Sequence, residues 1–402
     1  MIIYDKYHGY INLCPIASKI VDTPIFQRLR YIKQLGMVYL VFPTATHTRF
    51  EHSIGTYYLA NKMITNIKIK HPELNITDEI IMLISIAGLC HDLGHLFFSH
   101  LFDHYFVPSI TNININLTHE ERSKYLLIHM VSRYDINLNI DQLIVITDLI
   151  YPQQSNYLNW NNKYKIGKWI FQIISNPINS IDVDKFDYLI RDTDMLGLKF
   201  AFDYERIMND IIIIDDNICY SLHNSNDIYY MFFVRYRLHR HIYNHKTVKA
   251  IEILIIKILF ELEEKLKISN YLLDVDKMIQ LIDPFILFNN SLIINDIYKR
   301  NIPKMVYEKI SLIPYNYDEN ILKQNFNNES YQIIKFEVGY ISNKNNPLNN
   351  IIFYDSKNRK IIKTNNFQYF SLLINENHIE YFYRIYCTDL SLLDKFKTFF
   401  NT

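Results

Sequence analysis

The sequence has few cysteines and no excess of charge of either sign. Its 402 residues include four cysteines, scattered without paired spacing, which is typical of reduced thiols in an intracellular protein. Lysine plus arginine and aspartate plus glutamate both number 42, so the formal net charge is zero. This balance argues against affinity of the whole surface for nucleic acid or anionic membranes, although it allows local basic patches.

Long hydrophobic runs are lacking too. The longest apolar stretch, 248–266, is interrupted by charged residues, among them Lys249, Glu252, Lys257 and Glu261, so we expect no membrane span and no membrane partner. Met1 leads into a polar, strand-like segment and not into a signal peptide. We therefore expect an intracellular protein, cytoplasmic or nuclear, that is not secreted.

The residues that are present suit a large globular protein, since 49% are hydrophobic and 21% are charged. Helical periodicity dominates as far as residue 268, and apolar runs around turn residues at 3–13 and 211–221 predict β-hairpins. After residue 269, helical pieces precede alternating patterns that predict strands. We expect a mainly α fold, with a helical core over 1–268 and a smaller α+β lobe over 269–402.

Two core segments are expected to be non-helical. The apolar stretch 38–43 is predicted to be a strand that enters a loop, and the polar, aromatic stretch 151–164 an irregular loop. A helix is predicted over 181–196, and another is predicted to begin near residue 77 and to end at a His-Asp pair.

That pair lies in the stretch with the strongest chemical signal. Residues 86–100 read IAGLCHDLGHLFFSH, which places His91 and Asp92 side by side and adds His95 and His100. Imidazole and carboxylate together suit a divalent metal of intermediate softness, such as Fe, Mn, Co, Ni or Zn. Two ligands are too few for a stable site, so the rest of the chain must supply more.

Two other stretches supply them. HTRFEHSIG at 47–55 offers His52, and IDVDKFDYLIRD at 181–192 offers Asp184. Two histidines and two carboxylates can hold a catalytic metal and leave positions open for water or substrate. Taken alone, each residue is more often a satisfied histidine or a capping aspartate. The ordered set, with basic and aromatic companions, favours a metal site.

These motifs resemble those of the HD-domain phosphohydrolases and, within them, of the deoxynucleoside triphosphate triphosphohydrolases. DTPIFQRLRYIKQLG at 22–36 and RYRLHRHIYNHK at 235–246 extend the likeness, which covers roughly the first two thirds of the chain. The resemblance implies hydrolysis of a deoxynucleoside triphosphate (dNTP) to deoxynucleoside and inorganic triphosphate. It also implies that residues 1–268 are the HD-type catalytic core and that the lobe over 269–402 serves regulation or oligomerisation. Animal members carry an N-terminal SAM domain, which this chain is expected to lack.

The resemblance also implies roles at the reaction centre. His119 would give the leaving 5′-oxygen its proton, His95 would lie beside the same phosphate, and Asp92 would act with them. The metal, for which we favour Fe, Mn or Zn, would be held by His52, His91, Asp92 and Asp184.

Substrate contacts are implied as well. Arginine suits phosphate because it makes bidentate contacts, and Mg²⁺ would bridge phosphate oxygens. The residues implied at the triphosphate are Arg49, His100, Lys185, Tyr188 and Arg235. Gln34 and Asp192 would bind the 3′-hydroxyl, and Leu35 and Tyr243 would exclude a 2′-hydroxyl. His239 matches another pocket residue, and Asn244 stands where the family has a longer glutamine facing the base, so the base preference is left open.

Regulation is the last implied property. The animal enzyme forms a tetramer when guanine and deoxynucleotide activators bind between subunits. The matches to its guanine site are Asp22, Gln27, Arg30, Arg300 and Lys304, which favour a GTP activator, although Asp22 and Arg30 can equally be a helix cap and a surface charge. The matches to its second activator site are Val41, Asp203, Arg206, His245 and Lys246.

The second activator site is nevertheless incomplete. Tyr4, Asp210, Ser221 and His223 replace residues that the family uses there. Each lost cation opposite a triphosphate costs roughly 1.5–3 kcal/mol. We therefore expect weaker or different activation, by GTP alone, or a constitutively active homodimer or homotetramer.

Two other functions compete with this prediction. One is an HD phosphohydrolase for another nucleotide, such as a nucleoside monophosphate or an alarmone; the sugar-gating residues Gln34, Leu35 and Tyr243 speak against it. The other is a non-catalytic nucleotide sensor or single-stranded nucleic-acid binder. The complete set of metal and acid residues argues against a loss of catalysis, and the neutral charge against broad nucleic-acid binding, although the basic stretch 235–249 leaves it open.

Overall fold

The computed structural model describes residues 1–110, 118–152, 154–199, 202–289, 291–341, 346–363, 370 and 377–401. The core opens with a hairpin of β1 (Ile2–Asp5) and β2 (Gly9–Asn12). The helices of the core are α1 Pro15–Val21, α2 Pro24–Gln27, α3 Arg49–Lys70, α4 Asp78–Cys90, α5 His119–Arg133, α6 Ile140–Ile150, α7 Gln154–Tyr164, α8 Val183–Met195, α9 Tyr204–Asn209, α10 Ser225–Leu238 and α11 Lys246–Leu266. A second hairpin, β3 (Ile212–Ile214) and β4 (Asn217–Ser221), confirms the other predicted turn.

Side-chain caps fix where the motif-bearing helices begin. Thr77 caps α4 by accepting a hydrogen bond from the backbone N–H of Ile80, and Asp182 caps α8 in the same way through Lys185. Thr48 and Thr118 form capping boxes at α3 and α5. Because a cap satisfies the free N–H groups of the first turn, it sets the start of the helix and so the direction in which each later side chain points.

Helix packing brings three of the motif-bearing elements together. α3 packs against both α4 and α8. The second half of α4 is buried without interruption from Leu83 to Cys90, so it runs through the core. The His-Asp pair therefore follows a helix that is buried on every side, with α3 and its own histidine alongside.

The part of the chain after residue 268 adds α12 Val275–Met278, α13 Asp283–Asn289, α14 Ser291–Tyr298, α15 Glu319–Asn325, α16 Leu393–Asn401, β5 Lys304–Ser311, β6 Tyr331–Gly339, β7 Ile352–Tyr354, β8 Ile361–Lys363 and β9 Ile379–Cys387. β9 lies between β5 and β6 in an antiparallel sheet, and β7 joins the core by pairing parallel with β4. The predicted fold class, mainly α with hairpins and a smaller α+β lobe, is confirmed.

The hydrophobic core extends across the predicted domain boundary at 268/269. One cluster of buried side chains runs from Ile11 to Tyr386, while a smaller one around the stacked rings of Phe326 and Phe396 belongs to the lobe. The division into two domains stays a prediction.

None of the described helices is both long enough and apolar enough to cross a membrane.

Two local predictions were wrong. Residues 38–43 do not form a strand, because Gly36–Leu40 is a 3₁₀ helix whose first half is buried. Residues 154–164 are helical, and Trp160 explains why: it is buried, and its indole N–H donates to Asp148 Oδ2 on α6 at 3.0 Å. In both segments tertiary burial outweighed the local sequence signal.

Candidate active site

The four predicted metal ligands converge. His52 lies on α3, His91 and Asp92 directly follow α4, and Asp184 lies in the first turn of α8. His52 Nε2 is 3.1 Å from Asp184 Oδ1 and 3.5 Å from Asp92 Oδ2. His91 Nε2 is 3.4 Å from Asp92 Oδ1 and 3.5 Å from Asp184 Oδ1. Motifs that are far apart in the sequence thus form one cluster of donor atoms.

The donor set fits a divalent cation. The Nε2 atoms of His52 and His91 are 3.3 Å apart. Their Nδ1 atoms each face an oxygen at 2.8 Å, a carboxylate oxygen of Asp187 for His52 and the carbonyl oxygen of Gly88 for His91. A neutral imidazole that donates through Nδ1 carries a lone pair on Nε2. One donor atom each from His52, His91 and Asp184 lies within 4.8 Å of the others, an arrangement that can hold a metal ion. Asp92 adjoins this group and also forms a second one with His95 and His119.

The pKa shifts of His52 and Asp184 also support a metal site. Burial lowers the pKa of His52, but hydrogen bonds with Asp184 and Asp187 raise it to about 10. Burial raises the pKa of Asp184, but hydrogen bonds with His52 and His91 hold it far below its usual value. The carboxylates thus favour positive charge at Nε2 of His52, which a metal ion held there would supply in place of a proton.

A buried network of hydrogen bonds around Asp187 orients His52, the first of the predicted metal ligands. Besides His52, the carboxylate of Asp187 accepts hydrogen bonds from His8 Nε2 at 2.8 Å and from Nε and Nη2 of Arg191 at 2.9 and 2.8 Å. Arg191 in turn donates to Asp5 at 3.0 Å. The Cβ of any larger residue at position 55 would overlap Asp187, so Gly55 makes room for it.

The network around Asp187 was not predicted, although its signal is visible in the sequence. Asp187 and Arg191 are four residues apart inside the quoted IDVDKFDYLIRD motif, a spacing that pairs opposite charges on one helix face. Asp5 and His8 could not be found in that way, because only the fold places the N-terminal hairpin against α8.

A second cluster adjoins the metal ligands through Asp92. The rings of His95 and His119 are stacked with their centroids 4.1 Å apart, and His95 Nε2 is 3.3 Å from Asp92 Oδ1. Burial and the charge of Arg49 hold the pKa of His95 well below its usual value, so this imidazole is neutral. His119 is the first residue of α5, and α5 comes close because position 94 is glycine; a Cβ there would overlap the carbonyl oxygen of His119.

Asp103 belongs to this cluster and was missed. Its Oδ2 is 3.7 Å from His95 Nδ1 and 3.8 Å from His119 Nδ1, and it has no hydrogen-bond partner among the described residues. The other oxygen, Oδ1, pairs with the buried Arg122. The uncommitted oxygen of this carboxylate thus faces Nδ1 of both stacked imidazoles.

Comparison with known proteins identifies the family. The chain is 34% identical over 449 residues to an HD domain-containing protein of Acanthamoeba polyphaga mimivirus, covering 98% of this chain and 94% of that protein. It is 32% identical over 441 residues to the deoxynucleoside triphosphate triphosphohydrolase SAMHD1 of Homo sapiens, covering 96% of this chain and 70% of the human protein. This chain belongs to the SAMHD1 family.

A third relative agrees. The SAMHD1 homologue of Dictyostelium discoideum is 38% identical over 320 residues, which cover 77% of this chain and 60% of that protein. No protein-family model matches the chain.

Three of the residues predicted to contact the triphosphate surround the metal ligands of this SAMHD1-family chain. Arg49 pairs with Asp92, and its Nε donates to Ser99 Oγ at 3.0 Å. His100 is exposed, and its ring lies 5.1 Å from that of His95. The ring of Tyr188 lies 6.4 Å from that of His52. All three side chains thus lie beside residues of the predicted metal cluster or of the stacked histidine pair.

The other two predicted phosphate contacts have protein partners. Lys185 Nζ is 3.0 Å from Asp182 Oδ2, beside the start of α8. Arg235 is buried and donates through Nη1 to the carbonyl oxygens of Gly339 and Tyr340, both at 3.0 Å. A triphosphate would have to compete with these acceptors.

The predicted sugar-binding residues are linked to one another. Asp192 accepts a hydrogen bond from the hydroxyl of Tyr243 and is 2.7 Å from His47 Nε2. The backbone N–H of Gln34 donates to the carbonyl oxygen of His47 at 3.0 Å, and the buried Oε1 of Gln34 has no partner in the described part of the chain. The ring of His239 is 4.8 Å from that of Tyr243. The structure thus groups these residues, and Gln34 keeps a free acceptor.

Leu35 and Asn244 complete the predicted pocket. Leu35 is half-buried and packs against the main core cluster. The side-chain amide of Asn244 donates to the carbonyl oxygen of His239 at 2.9 Å, so contact with a base requires it to give up that bond.

The activator residues are grouped only in part. Gln27 donates to the carbonyl oxygen of Val21 at 2.8 Å and accepts from Arg30 Nε at 2.8 Å, beside the exposed Asp22. Lys304 is exposed at the start of β5, and Arg300 donates to the carbonyl oxygen of Leu40 at 2.5 Å. The first group forms a compact patch on one subunit.

The residues of the second activator site make contacts of their own. Asp203 caps α9 through the backbone N–H of Arg206, whose guanidinium pairs with Asp227. His245 caps α11, Lys246 begins that helix, and Val41 is half-buried. Across the described residues, no hydrogen bond or ion pair joins Asp203 and Arg206 to His245 and Lys246.

A change at Asp187 will weaken metal binding. In Asp187→Asn the carboxylate that orients His52 becomes a neutral amide, and we expect metal affinity to fall about 10- to 100-fold, as for other partners of metal-bound histidines. Competition titration against a chelator measures this. Asp194→Asn is the matched control, since Asp194 lies on the same helix but is exposed and pairs with Lys6. Equal affinities in the two variants would contradict the assigned role.

Proposed function

We propose that this protein is a metal-dependent hydrolase that cuts deoxynucleoside triphosphates into deoxynucleoside and inorganic triphosphate. The SAMHD1 relatives carry this activity in their names. The observation that carries the proposal is the convergence of His52, His91, Asp92 and Asp184. The Nε2 atoms of the two histidines are 3.1–3.5 Å from each other and from oxygens of the two carboxylates.

The residues of the chain suit this reaction. A divalent metal at the cluster would supply a nucleophilic water at neutral pH and polarise a phosphoryl oxygen. Water attacks the α-phosphorus, the bond from phosphorus to O5′ breaks, and its electron pair stays on O5′. His119 gives a proton to that oxygen. Neutral His95 stacks on His119 and keeps the ring in place, and Asp103 Oδ2 lies 3.8 Å from Nδ1 of His119.

The identity of the cofactors is part of the proposal. The histidine and carboxylate donors suit Fe, Mn or Zn in the cluster, and Mg²⁺ suits the oxygens of the triphosphate.

The free cysteines and the absence of a membrane-crossing helix from the described residues are compatible with action inside the cell, in the cytoplasm or nucleus.

The sugar pocket supports a deoxynucleotide as the substrate. The unpaired Oε1 of Gln34 can accept a hydrogen bond from a 3′-hydroxyl. We assign the ring of Tyr243, whose hydroxyl donates to Asp192, and the side chain of Leu35 to the space that a ribose 2′-hydroxyl would need. A buried hydroxyl without a partner costs roughly 1–3 kcal/mol, which favours the deoxy sugar.

Product analysis tests the proposal. Purified protein is incubated with each of the four dNTPs, with Mn²⁺ or Mg²⁺, and with or without GTP, and products are separated by ion exchange. We expect deoxynucleoside and intact triphosphate, and neither from the double variant His91→Ala/Asp92→Ala. Monophosphate plus pyrophosphate would show that the leaving group is misassigned. Binding without turnover under every condition would instead favour a nucleotide sensor.

We predict that the enzyme is activated by GTP alone or needs no activator. Asp22, Gln27 and Arg30 form a patch that suits guanine, whereas the second set of activator residues has lost several polar and basic members. We therefore expect a homo-oligomer whose rate rises with GTP or is independent of activators. Rates and sedimentation with and without GTP and dATP measure this, and an absolute need for both nucleotides would contradict it.

A further inference from the structure

We infer that Asp283 is a positioning residue, which holds the two loops that carry the sugar-binding and phosphate-binding side chains and thereby sets the preference for deoxynucleotides. The inference rests on the proposed function. Asp283 begins α13, in the part of the chain assigned to a regulatory lobe, and nothing in its local sequence suggests a link to catalysis.

The carboxylate of Asp283 bridges two loops. It is 4% exposed, and each of its oxygens accepts one backbone N–H: Oδ2 from Lys33 at 2.9 Å and Oδ1 from Phe98 at 2.8 Å. Leu281, two residues before Asp283, adds a third contact, since its carbonyl oxygen accepts from the backbone N–H of Phe97 at 3.0 Å. One short segment therefore fixes both loops at once.

Both loops carry predicted substrate contacts. Lys33 directly precedes Gln34 and Leu35, the residues assigned to the sugar. Phe98 lies two residues before His100, which is assigned to the phosphates. A shift at either clamped N–H therefore moves a side chain that touches the nucleotide.

The second loop needs such a clamp. Phe98 and Ser99 have φ values of +54° and +52°, so two consecutive residues other than glycine adopt the left-handed conformation. Surrounding contacts must hold residues in this region, because the conformation is unfavourable for side chains with a Cβ. The bond from the Phe98 N–H to Asp283 is one of those contacts.

The clamp also reaches the metal cluster. Ser99 Oγ donates to the carbonyl oxygen of Lys33 at 3.4 Å and accepts from Arg49 Nε at 3.0 Å. Arg49 in turn pairs with the metal ligand Asp92. A continuous path of hydrogen bonds thus runs from Asp283 through both loops to the reaction centre.

The variant Asp283→Asn tests the inference. An amide has one oxygen, so it can accept only one of the two N–H groups, and its own NH₂ then faces the other. We expect faster amide hydrogen exchange in peptides that contain Lys33 and Phe98. With GTP held saturating, we expect the ratio of kcat/KM for dCTP to that for CTP to fall about tenfold, as for a lost hydrogen bond to a charged group.

Two further variants make the result decisive. Asp276→Asn, an exposed carboxylate on α12, should change neither quantity, and Ser99→Ala should shift the ratio in the same direction even if Asp283→Asn folds poorly. An unchanged ratio, or an equal loss for dCTP and CTP, would overturn the inference. If the wild type hydrolyses neither nucleotide, the proposed function fails, and equilibrium binding of dCTP and CTP with the exchange data still decides the role of Asp283.

Discussion

Replacing His91 by alanine will nearly abolish hydrolysis, with a fall in kcat of roughly 10³-fold or more. The number of metal ions bound per chain will fall as well. His91 supplies one of the two Nε2 donors of the cluster, and its loss leaves His52 with the carboxylates of Asp92 and Asp184. The metal's stabilisation of transition-state charge amounts to several kcal/mol, which corresponds to that factor. Steady-state rates and metal analysis of the same samples measure the effect.

His129→Ala is the matched control for this experiment. His129 lies on α5, its Nε2 has no hydrogen-bond partner among the described residues, and it makes no contact with the cluster. We expect normal rates and metal content from it. If His91→Ala kept its bound metal and most of its activity, the ligand assignment would be wrong.

Replacing His119 by asparagine will lower kcat about 10²- to 10⁴-fold and leave metal content unchanged. The change removes the proton donor for O5′ and keeps a polar side chain of similar length at the start of α5. Since Asp92 is not altered, the cluster should bind metal as in the wild type. Single-turnover rates, together with metal analysis, separate the chemical step from metal loss.

A substrate that needs no proton provides the sharper test. In a dNTP whose 5′-bridging oxygen is sulfur, the leaving thiolate has a conjugate-acid pKa of about 8.5 and departs without help. We expect His119→Asn to hydrolyse this analogue almost as well as the wild type does. His104→Asn serves as control, because His104 lies near His100 but not against the stacked pair. An equal loss with both substrates would exclude a proton-donor role.

The sequence was sufficient where function depends on local pattern. The HD pair follows a helix whose start at Thr77 and apolar length are both visible, and the ordered motifs identified the family before any coordinates. The sequence misled where burial decides the structure, as in Gly36–Leu40 and in α7, where an indole that packs on α6 makes a polar stretch helical. Polar composition alone could not reveal that packing.

The sequence by itself determined the family and the candidates for its chemistry: two histidines and two aspartates in a fixed order, with His119 at a capped helix start. Only the tertiary structure decided what holds them. Asp187 and His8 meet because a hairpin docks against α8, Asp103 faces Nδ1 of two stacked imidazoles, and Asp283 clamps two loops that precede it in the sequence by more than 180 residues. These partners act through a few polar contacts between distant segments. Such contacts leave no periodic trace in the sequence, because they depend on how helices pack and not on the spacing of residues within them.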